Sequence, residues 1–215
     1  HSAIKVNEEG DIFMTTTVHT KLQEGTTLRP YRINVSKISG EGELIWSRDV
    51  EAAPFNSIYF SPKEKSPYPY GALDLVPMSD GGVIVCNRLA DTDSLDLTDT
   101  KNRPVIFRLG TNGEMIWEKR LRSTHPKESD QLYYGNTSIF AEGIEHLFFS
   151  IFFFFGQTDR SYYRPVFKIN MVDGHLVRCD TLQIVDPGPA SETLFSYYGM
   201  VKRDSGFLIS VNVQP

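Results

Sequence analysis

Tyr70, Tyr134 and Tyr198 recur 64 residues apart, each followed by glycine. A second set, Arg29, Arg103 and Arg164, is marked by the proline that follows each arginine. Aromatic faces beside guanidinium groups suit a sugar or a carboxylated ligand, because a guanidinium forks a carboxylate with two parallel N–H bonds. The same regularity has a second reading. A side chain that returns in every repeat serves the packing of the repeat, each Arg pairing with an acid or stacking on a neighbouring Tyr. Which reading holds depends on the elements that carry these six residues.

Other chemistry is thinly represented. The stretch ADTDSLDLTDTKNR, residues 90–103, offers Asp91, Asp93 and Asp96 as oxygen ligands for a hard cation. Read against a calcium loop, however, Leu95 stands at the fifth position and Asp96 replaces the glycine that the sharp turn needs. A solvated acidic loop is therefore the expectation, with no metal. His1, His19, His125, His146 and His175 are scattered, with no pair at metal-ligand spacing. No nucleophile elbow, phosphate-binding glycine loop or nucleotide fingerprint occurs, and no cofactor is expected. Cys86 and Cys179 fit no metal or redox spacing and read as buried free thiols, with a disulfide between them as the alternative.

The 215 residues suffice for one or two domains with a real core. A net charge of −5 gives no electrostatic footprint for nucleic acid. The longest apolar run, LFFSIFFFF at 147–155, is about half of what a membrane helix requires. A hydrophobic content of 40% and a charged content of 23% are ordinary for a soluble globular protein.

Self-similarity organises the chain. GEGELIWSRDV at 40–50 matches TNGEMIWEKRL at 111–121, and MVDGHLVRCDTL at 171–182 is a third copy with Arg178 in the place of tryptophan. RPYRINV, RPVIFRL and RPVFKIN precede these phrases, and a turn followed by an apolar run precedes those in turn. Three units and the first half of a fourth result, at about 1–50, 70–122, 134–184 and 194–215. The second unit shows four short strands: 72–78, 82–89, 104–109 and 113–120. Gly, Asn and Asp stand at the tight turns, and Pro104 opens the third strand, where its missing N–H is tolerated. The second strand is apolar at consecutive positions and should be buried on both faces. The fourth mixes Trp with charge, as an outer strand would. An inner strand covered on both sides and a solvated outer strand describe the four-stranded blade of an all-β propeller.

The phrase of apolar strand, Asn-Gly, tryptophan and charge, preceded by Asp-Gly-Gly and a β-run, resembles the blade repeat of secreted bacterial β-propellers, among them quinoprotein-like propellers and cell-surface propeller repeats of Bacteroidetes. The resemblance implies a secreted, periplasmic or cell-surface binding or scaffolding module with a glycan or protein partner. A weaker resemblance, of HSAIKVNEEGDI to a blade opening in the sialidase superfamily, implies as an alternative a glycosidase acting on acidic sugars, with the arginines gripping a carboxylate. The Asp-box of that superfamily has Trp three residues after Gly, whereas Trp46 and Trp117 follow glycine by four.

In such a propeller the loops entering first strands and those joining second to third strands share one face. Tyr70, Tyr134 and Tyr198 would lie there near the axis, with Arg29, Arg103 and Arg164 about 9–10 Å further out, two strand spacings. Trp46 and Trp117 are expected at equivalent places on outer strands, packed on a neighbouring blade. His1-Ser2-Ala3 aligns with Tyr70-Gly71-Ala72, and the fourth unit lacks its third and fourth strands. Residues 206–213 are thus expected to present an open edge, the chain being a segment of a longer propeller or one half of a homodimer.

Overall fold

The computed structural model describes residues 2–19, 31–50, 74–91, 101–121, 133–154, 161–185, 194–203 and 206–214. All regular structure in them is β. Sheet I comprises β1 (Ser2–Val6), β2 (Ile12–His19), β3 (Tyr31–Ile38) and β4 (Leu44–Val50). Sheet II comprises β5 (Asp74–Pro77), β6 (Val83–Asp91), β7 (Lys101–Leu109) and β8 (Met115–Arg120). Sheet III comprises β9 (Tyr133–Glu142), β10 (His146–Phe154), β11 (Ser161–Asn170) and β12 (Leu176–Val185). The two-stranded sheet IV is β13 (Leu194–Arg203) and β14 (Gly206–Gln214). Within each sheet the strands are antiparallel and neighbour one another in chain order. Among the described residues the sheets do not close into a barrel.

The strands expected in the second unit are those observed, and the reason is local. Val83, Ile84, Val85 and Cys86 of β6 are all fully buried, so this strand is covered on both faces. Short turns with positive-φ glycines at Gly42, Gly113 and Gly174 join third to fourth strands. Each of these turns closes with a backbone bond from the glycine N–H to a carbonyl three or four residues earlier. Just beyond each turn the outer strand bulges by one residue, at Ile45, Ile116 and Val177. The bulge fixes the register. Trp46 stands opposite Lys37, Trp117 opposite Arg108, and Arg178 opposite Lys168.

Two cores hold the sheets together. Between sheets I and II lie Phe13, Ile33, Val35, Leu75, Val83, Val85, Val105 and Phe107. Between sheets II and III lie Ile84, Cys86, Ile106, Trp117, Leu147, Phe149, Phe167 and Ile169. The first strands form a row in which β1 lies beside β5, β5 beside β9, and β9 beside β13. Cys86 is buried and Cys179 half-buried.

Candidate functional site

The two ends of the sheets differ in kind. At one end the connections within each sheet are three to five residues in sheets I to III: 7–11, 39–43, 78–82, 110–114, 143–145 and 171–175. At the other end the connections are 20–30, 51–73, 92–100, 121–132, 155–160 and 186–193.

The short-turn ends of sheets I, II and III are bolted together. Lys37 is 6% exposed, pairs with Asp11 at 2.9 Å and donates across the sheet boundary to the Gly81 carbonyl at 3.3 Å. Its ammonium also lies 5.3 Å from the Phe13 ring centroid. Arg108 pairs with Asp80 and donates to the carbonyls of Met171 at 2.9 Å and Val172 at 3.3 Å in sheet III. Lys168 pairs with Glu142 at 3.0 Å and lies over the Phe148 ring. In sheets I to III a cation near the end of the third strand thus meets an acid from the first turn or, for Glu142, from the end of the first strand just before it. The tryptophans add a second bolt. Trp46 Nε1 donates to the Thr111 carbonyl at 2.7 Å, and Trp117 Nε1 to the Met171 carbonyl at 3.2 Å. Trp117 is buried and Trp46 half-buried, so both indoles pack on the following sheet as expected. The cation–acid pairs escaped the sequence reading. Their signal was present as an acid in or just before each first turn and a Lys or Arg shortly before each second turn, but charge near turns is so common that spacing alone does not single it out.

Of the residues expected to bind a ligand, Tyr134, Tyr198, Arg103 and Arg164 stand in the halves of their strands nearer the opposite end. Tyr70, Arg29, Asp93 and Asp96 lie outside the described residues. Asp91 ends β6, opposite Lys101. Arg103 is opposite Leu89 on β7, and Arg164 is opposite Leu182 on β11. Phe153 is partnered by Tyr133 on one side and Tyr163 on the other. Tyr134 and Arg164, the residues following those two tyrosines, therefore sit at the same end of sheet III, two strands apart. Tyr198 falls at the register shift between Tyr197 and Gly199 of β13, and Tyr134-Gly135 at that between β9 and β10. The recurring glycine thus has a backbone reason, since an interior strand glycine commonly marks a bulge. The two arginines are not at matching positions. Arg103 is five residues before Arg108, whereas Arg164 is four before Lys168, although Arg108 and Lys168 occupy the same register.

One titratable group stands where three first strands converge. Asp74 opens β5, its carboxylate accepts from the Leu75 N–H at 2.9 Å, and Lys5 of β1 lies 3.9 Å away. Burial holds this carboxyl above its ordinary value, against the lowering effects of the Leu75 N–H, the Lys5 charge and the Ile139 N–H of β9. A raised folded-state value means that the associated stability is full below about pH 4, the unfolded value, and is lost as pH rises through the folded one. Asp74→Asn, which keeps an acceptor oxygen without the charge, should therefore raise the melting temperature at pH 7. The gain should vanish towards pH 3. Melting curves across that range check it, and a lower melting temperature at pH 7 would contradict it. Among the described residues no group of three or more His, Cys, Asp or Glu could hold a metal ion. Nor, among the described residues, is any helix long and apolar enough to cross a membrane.

The fold so defined is an all-β array of repeated antiparallel sheets. No family model matches the chain, and no curated protein matches it. Among solved structures it is similar to one described as "a putative glycosidase from Bacteroides thetaiotaomicron", at 12% identity and a TM-score of 0.41. The match covers 99% of this chain and spans 61% of that one. At that score and identity it assigns no activity.

Proposed function

We propose that the chain is part of a β-propeller from a secreted, periplasmic or cell-surface protein, and that it binds a glycan or protein partner at the end of the sheets carrying the long connections. The observation that carries this reading is the asymmetry of the two ends. Short turns, cation–acid pairs and indole bolts occupy one end and leave it little freedom to vary. Variable surface connections above a rigid scaffold are where binding residues concentrate. The row β1, β5, β9, β13 supports the propeller arrangement, because first strands that neighbour one another in sequence order are what blades around an axis require.

The partner chemistry follows from the tyrosines and the Arg-Pro arginines, which suit a sugar or a carboxylate. A glycan array probed with the purified chain, beside a fluorogenic sialoside assay, tests it. Binding without turnover is expected, with Tyr134→Ala and Arg164→Ala each weakening it about tenfold or more and leaving the melting temperature within a few degrees. Turnover of the sialoside that is abolished by Arg103→Ala would replace the binding module with a sialidase-type glycosidase. Failure of both variants to alter binding would remove these residues from the site.

A further inference from the structure

Sheet II has sheet I on one side and sheet III on the other, yet two large apolar side chains at the start of its outer strand stay exposed. Met115 is 44% exposed and Ile116 47%. Their counterparts behave alike. Leu44 and Ile45 open β4 and are exposed, and Val177 is exposed near the start of β12, with Val172 in the turn before it. The bulges account for part of this. Ile45, Ile116 and Val177 are the extra residues, and a bulged residue is left out of the ladder. A bulge does not require an apolar side chain, however, and a polar one would fill the same position without presenting apolar area to water.

These residues form one band across three sheets. The Trp46 indole donates to the Thr111 carbonyl and so holds the 110–114 turn of sheet II against β4, and Trp117 holds the 171–175 turn of sheet III against β8 in the same way. Gly113 sits so closely on β4 that an added Cβ would lie 3.0 Å from both Trp46 and the Arg48 stem, and Gly174 is set likewise on Trp117 and Lys119. Each exposed apolar pair therefore lies beside the turn that leads into the next. Apolar residues scattered singly over a surface are ordinary, whereas a contiguous exposed patch marks an interaction site. The charge around the band is mostly of one sign. The short turns of sheets I to III contain Asp and Glu but no Lys or Arg. Asp11 and Asp80 pair with Lys37 and Arg108, while Glu41, Glu43, Glu114 and Asp173 are exposed beside the apolar residues. Arg48 and Lys119 follow further along the outer strands. A second copy docking here would set acids against acids, and an acidic partner is disfavoured for the same reason.

We infer that this band, along the turns 39–43, 110–114 and 171–175, docks a basic protein segment in which Lys or Arg alternates with large apolar side chains. The exposed apolar residues supply the affinity, and the carboxylates steer the segment and set its register. The surface lies at the end of the sheets opposite the ligand region proposed above, and the inference does not depend on that region.

Fluorescence anisotropy of short labelled peptides titrated with the 215-residue chain tests it. One peptide alternates Lys with Leu, a second Lys with Ser, and a third Glu with Leu. The Lys–Leu peptide should bind, less tightly as salt is raised, and the other two should bind about tenfold or more less tightly. Met115→Ser/Ile116→Ser should weaken Lys–Leu binding about tenfold or more, and Glu41→Gln/Glu43→Gln should weaken it and flatten its salt dependence. Ile4→Ser, which removes an exposed apolar side chain from β1 outside the band, should leave binding unchanged. All five positions are exposed, so the variants should melt within a few degrees of the parent chain. Failure of the Lys–Leu peptide to bind overturns the inference. Equal binding of the Glu–Leu peptide does so too, as does a loss at Ile4→Ser equal to that at Met115→Ser/Ile116→Ser. A dimer in sedimentation velocity that Met115→Ser/Ile116→Ser dissociates would give the band to a second copy and overturn the basic partner.

Discussion

Trp117→Ala is expected to cost about 3–5 kcal/mol, enough to leave a domain of ordinary stability marginal. The indole is only 8% exposed and sits in the core between sheets II and III, with its N–H on the Met171 carbonyl. Truncation removes the buried ring and leaves that carbonyl without this donor. Trp46→Ala should cost about half as much, because that indole is half-buried and meets Phe13 only edge-on at 6.3 Å. The floor of the Trp117 site is Gly174, at φ +72°, where an added Cβ would lie 2.8 Å from the ring. Gly174→Ala should therefore destabilise too, by about 1–3 kcal/mol, from overpacking and from the left-handed backbone. Urea unfolding of the three variants checks the order Trp117→Ala, then the other two. Equal losses at both tryptophans would mean that the two sheet boundaries are packed alike, contrary to their observed burial.

Lys37→Met should cost about 3 kcal/mol, whereas Lys168→Met should cost about 1 kcal/mol or less. The chemistry of the two pairs is the same, and burial separates them. Lys37 is almost wholly enclosed and its removal strands the Asp11 carboxylate, itself 17% exposed, together with the Gly81 carbonyl. Lys168 and Glu142 are each 28% exposed, so water can replace the lost partner. Replacing both members, in Lys37→Met/Asp11→Leu, should recover most of the loss, because an apolar pair of similar volume needs no compensation. A double-mutant cycle by urea unfolding reads this directly. A coupling near zero between Lys37 and Asp11 would show that the pair is not what joins the first turn to the third strand.

The sequence by itself determined the elements and their order. Consecutive apolar residues at 83–86, turn glycines before each tryptophan and Pro104 at a strand opening are local signals, and local backbone preference is what they report. The place of Trp46 and Trp117 on outer strands was legible for the same reason, since the repeat of turn, bulge and indole lies within a dozen residues. Registers were not legible. The Arg-Pro phrases look equivalent along the chain, yet Arg103 and Arg164 stand five and four residues from the cations that share a register. A one-residue offset is invisible in a short phrase and decisive in a pleated strand, where it moves a residue to the other face. Only the tertiary structure decided which sheet each indole reaches, that Lys37 and Arg108 donate across sheet boundaries, and that Asp74 meets both Lys5 and the Ile139 amide. Those contacts join residues of different sheets. The distance between them along the chain carries no information about their distance in space until the hydrophobic cores have set one sheet upon the next.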